Sequence, residues 1–535
     1  MKANIGHTLE TAGMASLVKV VLAMEHGIIP PGSTCAEFNT EFDWQRGPFT
    51  VPLEAIAWPT KPDGGPRSAA VNAFGIGGLN VHVSLAQHVP GPRSSARSAA
   101  APTRDPEAEA IAIVGMGSVL PGALSLKAFY ELLEEGGSAL GPVPADRWNL
   151  QQALDTSGPR PWRTTAGLGG FVRDFHYDWR RHKVPPKQIA AANPLQFMLL
   201  EAADAALAEA GISEPGFDRL STGVVVGTMF GGTFNNELQM GLRLPETALF
   251  LKDSLQRRGI SAGDIDRITR AYAARVLQRL PALVDETGSF TSSTLSSRLT
   301  KSFNLMGGGL ALDAGDCSSL SAISAAADML REQSCDTVLC AAGQRSLDLT
   351  AFEGLAGSKM LSDRARSIFS TSGSGRVPAE GAVVLVLQRL KDARAAGRPI
   401  HGVIRAVAVG AARSLAESAG RVVREACENS GLDPTLIGTL EACGCGSPER
   451  DQQQLIALAA QYGKGPRSST VAGSLEGAIG HSGATAGAAA ILKLARVLGT
   501  GQMPATLGCD CGAPAGSLRV SSHPLPVPRT RASLR

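Results

Sequence analysis

The sequence lacks an excess of charge of either sign. Lys and Arg total 51 against 48 Asp and Glu, which leaves a net charge of +3 at pH 7 with His neutral. Binding to nucleic acid or to an anionic membrane through electrostatics would require a positive excess, and this balance gives no support for one. The sequence also has no run of about 18 apolar residues, the length that a membrane-spanning helix needs. Partners therefore have to be inferred from motifs and sites.

The cysteines do not form a disulfide or zinc pattern. The nine cysteines are odd in number and scattered through 535 residues, and no targeting features follow Met1. This usage is typical of reduced thiols, so we expect no disulfides and a cytoplasmic location. The C-x-C pairs at 443/445 and 509/511 have no second pair and no histidines at zinc-site spacing, whereas a structural zinc site needs four ligands. We expect no metal and no directly bound cofactor.

Composition divides the chain into two domains and a linker. Residues 1–88 form one block, residues 89–107 are rich in Pro, Ser and Ala as in a linker, and a second domain runs from 108 to 535. In that domain, apolar runs that indicate buried strands alternate with helical patterns. The strands are predicted at 111–117 and 222–227, and a helix at 196–211. Such alternation predicts an α/β fold with a covered, mainly parallel sheet.

One element occurs twice in the chain, at a separation of 474 residues. The sequence Ile-Gly-His at 5–7 recurs at 479–481, Ala-Gly at 12–13 recurs at 486–487, and Lys19 recurs as Lys493. The first copy lies at the start of the chain, and the second lies where the second domain is ending.

Five motifs follow one another along the chain. Residues 2–7 read Lys-Ala-Asn-Ile-Gly-His, residues 74–82 read Phe-Gly-Ile-Gly-Gly-Leu-Asn-Val-His, and the others lie at 111–117, 193–201 and 369–390. These motifs resemble those of β-ketoacyl synthases, the ketosynthases of fatty acid and polyketide assembly: residues 2–7 are similar to the family's K-S-N-I-G-H, and residues 74–82 are similar to its terminal F-G-F-G-G-T-N-A-H. The resemblance implies the thiolase-like fold, in which two similar α/β halves with mixed, mainly parallel sheets stack in five layers. It also implies that the upstream block is the C-terminal portion of one ketosynthase domain and that the downstream domain is a second.

The chemistry of this family uses a cysteine nucleophile, two histidines and a lysine. The resemblance implies that the thiolate, activated at a helix N-terminus, takes an acyl chain from the phosphopantetheine arm of an acyl carrier protein. The histidines then stabilise the enolate that forms when a malonyl thioester loses carbon dioxide.

The nucleophile position of the second domain is changed. The family pattern V-D-T-A-C-S-S-S-L aligns without a gap to residues 312–320, which places Asp316 at that position. A carboxylate suits a helix N-terminus, but it does not carry a thioester and it would repel a malonyl carboxylate. An alignment with a gap places Cys317 there instead, although a one-residue slip on a helix rotates the side chain by about 100°. Cys317 is therefore the alternative nucleophile.

Two further functional positions are changed, and one is kept. The pattern E-A-H-G-T-G-T-P-L-G-D aligns to residues 441–451 and places Cys443 at the first histidine. A thiol does not reproduce the hydrogen bonding and proton chemistry of imidazole. In residues 474–481 the second histidine is retained as His481, whereas Glu476 replaces the lysine and reverses its charge.

The ends of the two blocks depart from the family in another way. The upstream block keeps the family's lysine and histidine as Lys2 and His7, but it contains no nucleophile motif. The second domain stops before any counterpart of residues 74–78, so we expect it to lack its last strands and to have an unpaired sheet edge. We therefore expect a partial reading frame. A further hypothesis is that residues 1–88 dock onto the second domain and supply the strands that it lacks.

The pattern of kept and lost positions predicts a function. The second domain resembles a chain length factor, a non-condensing partner that forms a dimer with an active ketosynthase, as in the tandem arrangement of polyunsaturated fatty acid and polyketide synthases. Acyl carrier protein is the other implied partner. The alternatives are an active 3-oxoacyl-[acyl carrier protein] synthase that uses Cys317, a malonyl decarboxylase that uses His481 alone, and a non-catalytic scaffold or remnant.

Overall fold

The computed structural model divides the chain into two compact units, Met1–Arg104 and Asp105–Arg535. The first boundary falls in the predicted linker, whose residues lie outside the described part of the chain. The structure describes residues 1–32, 37–60, 64–75, 79–88, 110–186, 189, 192–212, 218–229, 231–279, 291–370, 375–462, 470–509 and 518–527.

The first unit consists of a long helix followed by short antiparallel strand pairs. Strands β1 and β2 pair with each other, and β3 and β4 form a longer antiparallel pair. This pair carries Phe74 and residues 80–82 of the motif at 74–82, whose residues 76–78 lie outside the described part of the chain. The elements of this unit are α1 (Lys2–Ile5), α2 (Ala12–His26), β1 (Ile28–Ile29), β2 (Ile56–Ala57), β3 (Ser68–Phe74) and β4 (Asn80–Ala86).

Six strands of the second unit form its largest described sheet, in the order β12-β5-β11-β10-β8-β9. The apolar runs predicted to be buried strands are confirmed, since every residue of β5 and β8 is buried. The sheet is mixed, as expected, but it is not mainly parallel. Fewer of its strand pairs are parallel than antiparallel, because β11 runs antiparallel to both β10 and β5. The strands are β5 (Ile111–Val119), β8 (Thr222–Thr228), β9 (Gly309–Leu312), β10 (Thr337–Gln344), β11 (Gly381–Arg389) and β12 (Gly402–Ile404).

Helices and short strand pairs surround this sheet. Helix α7 ends within the charged segment around 253 to 283, and helix α8 lies inside it. The helices are α3 (Leu126–Glu134), α4 (Leu150–Ala153), α5 (Leu195–Glu209), α6 (Thr233–Leu242), α7 (Leu244–Arg257), α8 (Ala262–Arg279), α9 (Ser293–Phe303), α10 (Ser318–Arg331), α11 (Leu349–Gly357) and α12 (Leu390–Ala395); the short pair is β6 (Gly141–Pro142) with β7 (Leu168–Gly169).

A second, smaller sheet belongs to the C-terminal part of the same unit. Its three described strands are parallel and follow the order β13-β14-β16. None of the helices in the described ranges is long and apolar enough to cross a bilayer. The elements are α13 (Leu415–Ser430), β13 (Thr439–Glu441), α14 (Pro448–Tyr462), β14 (Thr470–Gly473), α15 (Glu476–Ile479), α16 (Ala486–Thr500), β15 (Gln502–Met503), β16 (Leu518–Arg519) and β17 (Leu525–Pro526).

The 474-residue repeat is confirmed at the level of structure. Helices α1 and α2 and strand β1 have the same bounds as α15, α16 and β15 when 474 is added to each number. The glycines between these helices match as well, with φ of 80° at Gly6 and 85° at Gly480, in the region that glycine favours. The same sequence element therefore folds in the same way in both units.

Candidate functional site

Asp316 lies on a 3₁₀ turn, Gly315–Cys317, that leads directly into α10. The side chain of Ser318 holds this turn, because its Oγ donates to the carbonyl of Gly315 at 2.6 Å and accepts from the N–H of Ala314 at 2.9 Å. Gly227 of β8 allows the close approach of α10, since a Cβ at Gly227 would lie 2.4 Å from the carbonyl oxygen of Ser318. The start of α10 is thus fixed against the sheet.

His481 faces Asp316 across a short gap. Its Nε2 lies 3.2 Å from Oδ2 of Asp316, and the histidine residue is only 5% exposed. Backbone hydrogen bonds on both sides fix the position of the histidine: its N–H donates to Val377 at 2.7 Å, and its carbonyl accepts from Ala379 at 2.9 Å. Asp316 is thus the residue of this turn whose side chain meets His481.

Arg376 joins this pair, although no motif pointed to it. Its Nη1 lies 2.7 Å from Oδ2 of Asp316 and 2.6 Å from Nε2 of His481. Arginine has no acceptor, so the second contact is a hydrogen bond only when Nε2 carries no proton. Arg376 falls within the segment at 369–390, and the fold brings it to Asp316 across 60 positions of the sequence.

Glu476 approaches the other face of the imidazole and is anchored by three donors. Its Oε1 accepts from the N–H of Gly444 at 3.0 Å, and its Oε2 accepts from the N–H of Ile368 at 3.1 Å and from Ser474 Oγ at 3.2 Å. The same Oε1 lies 3.4 Å from Nδ1 of His481. The carboxylate is therefore held in one orientation beside the ring.

Cys443 completes the cluster. Its Sγ lies 3.4 Å from Nδ1 of His481 and 3.6 Å from Oε1 of Glu476. The residue is solvent-exposed, but many protein atoms surround the thiol. Cys443 thus comes from a segment distant in sequence from that of Glu476 and His481, and the polar atoms of the three residues converge on one point.

The charges of the cluster shift its pKa values in opposite directions. Burial raises the pKa of Asp316, but the hydrogen bond and charge of His481, together with Arg376, outweigh it and hold this pKa well below its usual range. Burial lowers the pKa of His481, whereas Cys443 and the carboxylates of Asp316 and Glu476 raise it, and the net direction is upward. Burial raises the pKa of the Cys443 thiol to about 11.

The other predicted site residues lie outside this cluster. Cys317 is exposed at the N-cap of α10, and no hydrogen bond joins its thiol to the part of the chain that the structure describes. Lys2 and His7 belong to the first unit, where both are exposed and Nδ1 of His7 accepts from the N–H of Leu9 at 3.0 Å.

A buried ion pair lies on the same elements as the site. Lys493 of α16 places its Nζ 2.6 Å from Oε2 of Glu441, which ends β13, and their side chains are 1% and 5% exposed. Burial raises the pKa of Glu441 even though Lys493 opposes the shift. This pair ties α16, which follows the His481 segment, to the strand that precedes Cys443.

The arrangement limits the chemistry of the site. Acyl transfer needs a nucleophile that forms a thioester, and the atom that faces His481 is a carboxylate oxygen already paired with Arg376. On the Nδ1 side of the ring lie the Cys443 thiol at 3.4 Å and the Glu476 carboxylate at 3.4 Å. The site is therefore an imidazole between two carboxylates, with a cation on one side and a thiol on the other.

Two protein-family models together match most of the chain. The model of the "Beta-ketoacyl synthase, N-terminal domain" matches residues 108–393, and that of the "Beta-ketoacyl synthase, C-terminal domain" matches residues 1–35 and 403–510. The C-terminal model thus matches both copies of the repeat.

Relatives among characterised proteins are much longer than this chain. Polyketide synthase GfsA of Streptomyces halstedii is 31% identical over 443 residues, which cover 80% of this chain and 5% of that protein. The pikromycin polyketide synthase component PikAIII of Streptomyces venezuelae is 29% identical over 415 residues, which cover 75% of this chain and 24% of that protein. A polyunsaturated fatty acid synthase of Thraustochytrium is 26% identical over 416 residues, which cover 75% of this chain and 14% of that protein.

Solved structures agree on the fold. The oxazolomycin ketosynthase domain OzmH KS7 of Streptomyces albus is 25% identical, with a TM-score of 0.66 over 79% of this chain and 71% of that chain. The ketosynthase from module 6 of the bacillaene synthase of Bacillus subtilis, 23% identical, has a TM-score of 0.62 over 78% and 67% of the two chains. The fold is the thiolase-like α/β fold expected from the motifs, and the chain belongs to the beta-ketoacyl synthase family.

Proposed function

We propose that the second domain does not condense acyl chains and instead acts as a chain-length-factor-like partner of an active ketosynthase in polyketide or fatty acid assembly. The observation that carries this proposal is the Asp316 carboxylate, whose Oδ2 lies 3.2 Å from His481 and 2.7 Å from Arg376. An ionised, paired carboxylate at this point gives an acyl thioester no sulfur to exchange with.

Electrostatics add to the proposal. The low pKa of Asp316 keeps its carboxylate ionised at neutral pH. Glu476 adds a second carboxylate 3.4 Å from the imidazole. A malonyl group carries its own carboxylate, so its approach to this site is opposed by like charges. Decarboxylation by His481 alone is disfavoured for the same reason.

The retained fold supports a role for the domain as a partner. The core of the second unit is intact, with fully buried central strands in β5 and β8. We propose that the domain keeps the surfaces with which such domains form dimers and accept an acyl carrier protein, while catalysis belongs to the partner ketosynthase.

Reconstitution tests this function. The full chain is mixed with a condensing ketosynthase, acyl carrier protein and labelled malonyl thioester, and the product lengths and released carbon dioxide are measured. We expect no condensation and no carbon dioxide from this chain alone, co-purification with the ketosynthase, and a changed product length in the mixture. Condensation by the chain alone would support the Cys317 alternative, and carbon dioxide release without condensation would support the decarboxylase. If the chain shows no activity and does not associate with the ketosynthase, the remaining alternative is a non-catalytic scaffold or remnant.

The Cys317 alternative has its own control variants. Cys317→Ser removes the alternative nucleophile, and Cys445→Ser removes a cysteine that no alignment places at the nucleophile position. Any condensing activity that is lost in Cys317→Ser and kept in Cys445→Ser would overturn the proposal.

A further inference from the structure

The side chains of Cys443, Glu476 and His481 place three ligand atoms of different chemistry around one point. Sγ, Oε1 and Nδ1 all lie within 4.8 Å of one another. Spacing along the chain gives no metal-site pattern here, because 33 and 38 positions separate Cys443 from Glu476 and His481. The fold makes the cluster by bringing the segment after β13 against α15 and the residue that follows it.

The spacing of these atoms fits a tetrahedral zinc ion. Zinc bonds of about 2.3 Å to sulfur and about 2.0 to 2.1 Å to nitrogen and oxygen imply separations of about 3.6 Å from sulfur to each lighter ligand and about 3.4 Å between the lighter two. The observed separations are 3.4 Å for sulfur to nitrogen, 3.6 Å for sulfur to oxygen and 3.4 Å for nitrogen to oxygen. An ion at the centre would require only small movements.

The surroundings orient each ligand as in metal sites. Nε2 of His481, the nitrogen away from the cluster, lies 3.2 Å from a carboxylate oxygen of Asp316, the kind of contact that fixes a metal-binding histidine in proteins. The N–H groups of Gly444 and Ile368 fix the Glu476 carboxylate. For Nε2 to donate to Asp316, Arg376 has to remain on the carboxylate and move off the ring nitrogen.

Charge and access also fit a divalent cation. Binding of the ion displaces the proton of the Cys443 thiol and any proton on Nδ1 of His481 into solvent, because metal ligands coordinate in their deprotonated forms. The resulting thiolate and the Glu476 carboxylate supply two negative charges, equal to the charge of Zn²⁺, and the histidine coordinates as the neutral ring. Cys443 is exposed, which gives an ion and a water molecule a path to the cluster. Both substitutions at the family positions, Cys443 and Glu476, introduce ligand types beside the histidine that is retained.

We propose that Cys443, Glu476 and His481 bind one zinc ion with three protein ligands and leave a fourth position open to solvent. This inference goes beyond the proposed function, because a non-condensing partner needs no metal. The experiment that tests it measures metal binding alone, so the zinc proposal and the proposed function can each fail without the other.

The test uses the full chain, stripped with a chelator and titrated with Co²⁺ and then Zn²⁺. We expect one Co²⁺ per chain, with a thiolate-to-cobalt charge-transfer band that Zn²⁺ displaces. Cys443→Ser should abolish the band, and Glu476→Gln should weaken binding by about tenfold or more. Cys445→Ser, two residues away in the same C-x-C pair, should leave the titration unchanged.

Circular dichroism of each metal-free variant checks that the fold is intact. A wild-type chain that binds no cobalt would overturn the proposal, as would a band that persists in Cys443→Ser. A band lost equally in Cys445→Ser would also overturn it, because it would place the metal on the C-x-C pair or on adventitious thiols.

Discussion

Replacing Lys493 with methionine should destabilise the second unit by an amount that depends on pH. The Nζ of Lys493 lies 2.6 Å from Oε2 of Glu441, and the two side chains are 1% and 5% exposed. Methionine keeps the apolar length of the side chain but removes the charge, so the change isolates the ion pair. The variant leaves Glu441 buried without its cation, and a buried, unpaired carboxylate folds in its protonated form.

The magnitude follows from the proton that Glu441 must take up. A glutamate in the unfolded chain has a pKa of about 4.3, which lies about 2.7 pH units below pH 7. At about 1.36 kcal/mol per pH unit, protonating it at pH 7 costs about 3.7 kcal/mol. This value lies within the range of about 3 to 5 kcal/mol for breaking a buried ion pair. At pH 5 the same calculation gives a cost of about 1 kcal/mol.

The direction of the pH dependence follows from linkage. Burial raises the pKa of Glu441 in the folded state, and removing Lys493 takes away the charge that opposes this shift. Between the unfolded and folded pKa values, the folded variant binds more protons than the unfolded chain, so its stability falls as the pH rises. The stability contribution of the protonated group is complete below the unfolded pKa and is lost as the pH rises through the folded pKa.

Urea unfolding at pH 5 and pH 7, followed by tryptophan fluorescence, measures the effect. Lys19→Met is the matched control, because Lys19 occupies the same position of the repeat but is partly exposed, and it should cost less than about 0.5 kcal/mol. The double variant Glu441→Gln with Lys493→Met should lose the pH dependence. An equal loss at both pH values in Lys493→Met would refute the reasoning.

Two further predictions concern packing and titration. Gly227→Ala places a Cβ 2.4 Å from the carbonyl oxygen of Ser318, so the start of α10 must move. The control is Gly354→Ala, whose Cβ meets no atom within 4 Å. Thermal unfolding of Gly227→Ala should occur at a lower temperature than that of Gly354→Ala. Burial raises three of the four tyrosine pKa values to about 12, so an absorbance titration should show that most tyrosines remain protonated at pH 11. For the same reason the stability of the fold should fall as the pH rises from about 10 towards 12. Ionisation of all four tyrosines near pH 10 would contradict this. The three tyrosines with a raised pKa are Tyr130, Tyr177 and Tyr462.

Much of the fold could be predicted because its signals are local. The strands at 111–117 and 222–227 are continuous apolar runs, and burial explains them without further context. The repeat predicted that α1 and α2 would match α15 and α16. The minority of parallel pairings in the large sheet could not be predicted, because strand direction depends on which distant strands become neighbours, as β11 does with β5 and β10.

Part of the candidate site could also be predicted from the sequence, and part could not. The pairing of Asp316 with His481 follows from motif register, since both belong to matched motifs. Arg376 was missed, because its charge has no local pattern and its contact with Asp316 spans 60 positions. Cys443, Glu476 and His481 were each matched to functional positions of the family. A metal site formed by them was not predicted, because ligand spacing was sought within short C-x-C stretches, whereas the ligand atoms come from two segments joined only by the fold.

Covalent loading tests the central claim that this domain has no condensing nucleophile. The full chain is incubated with acyl carrier protein that carries an acyl thioester, and its intact mass is measured, together with that of Cys317→Ser. Because Asp316 rather than Cys317 faces His481, we expect the mass of both proteins to stay unchanged. An acyl adduct on the wild-type chain that disappears in Cys317→Ser would contradict the account.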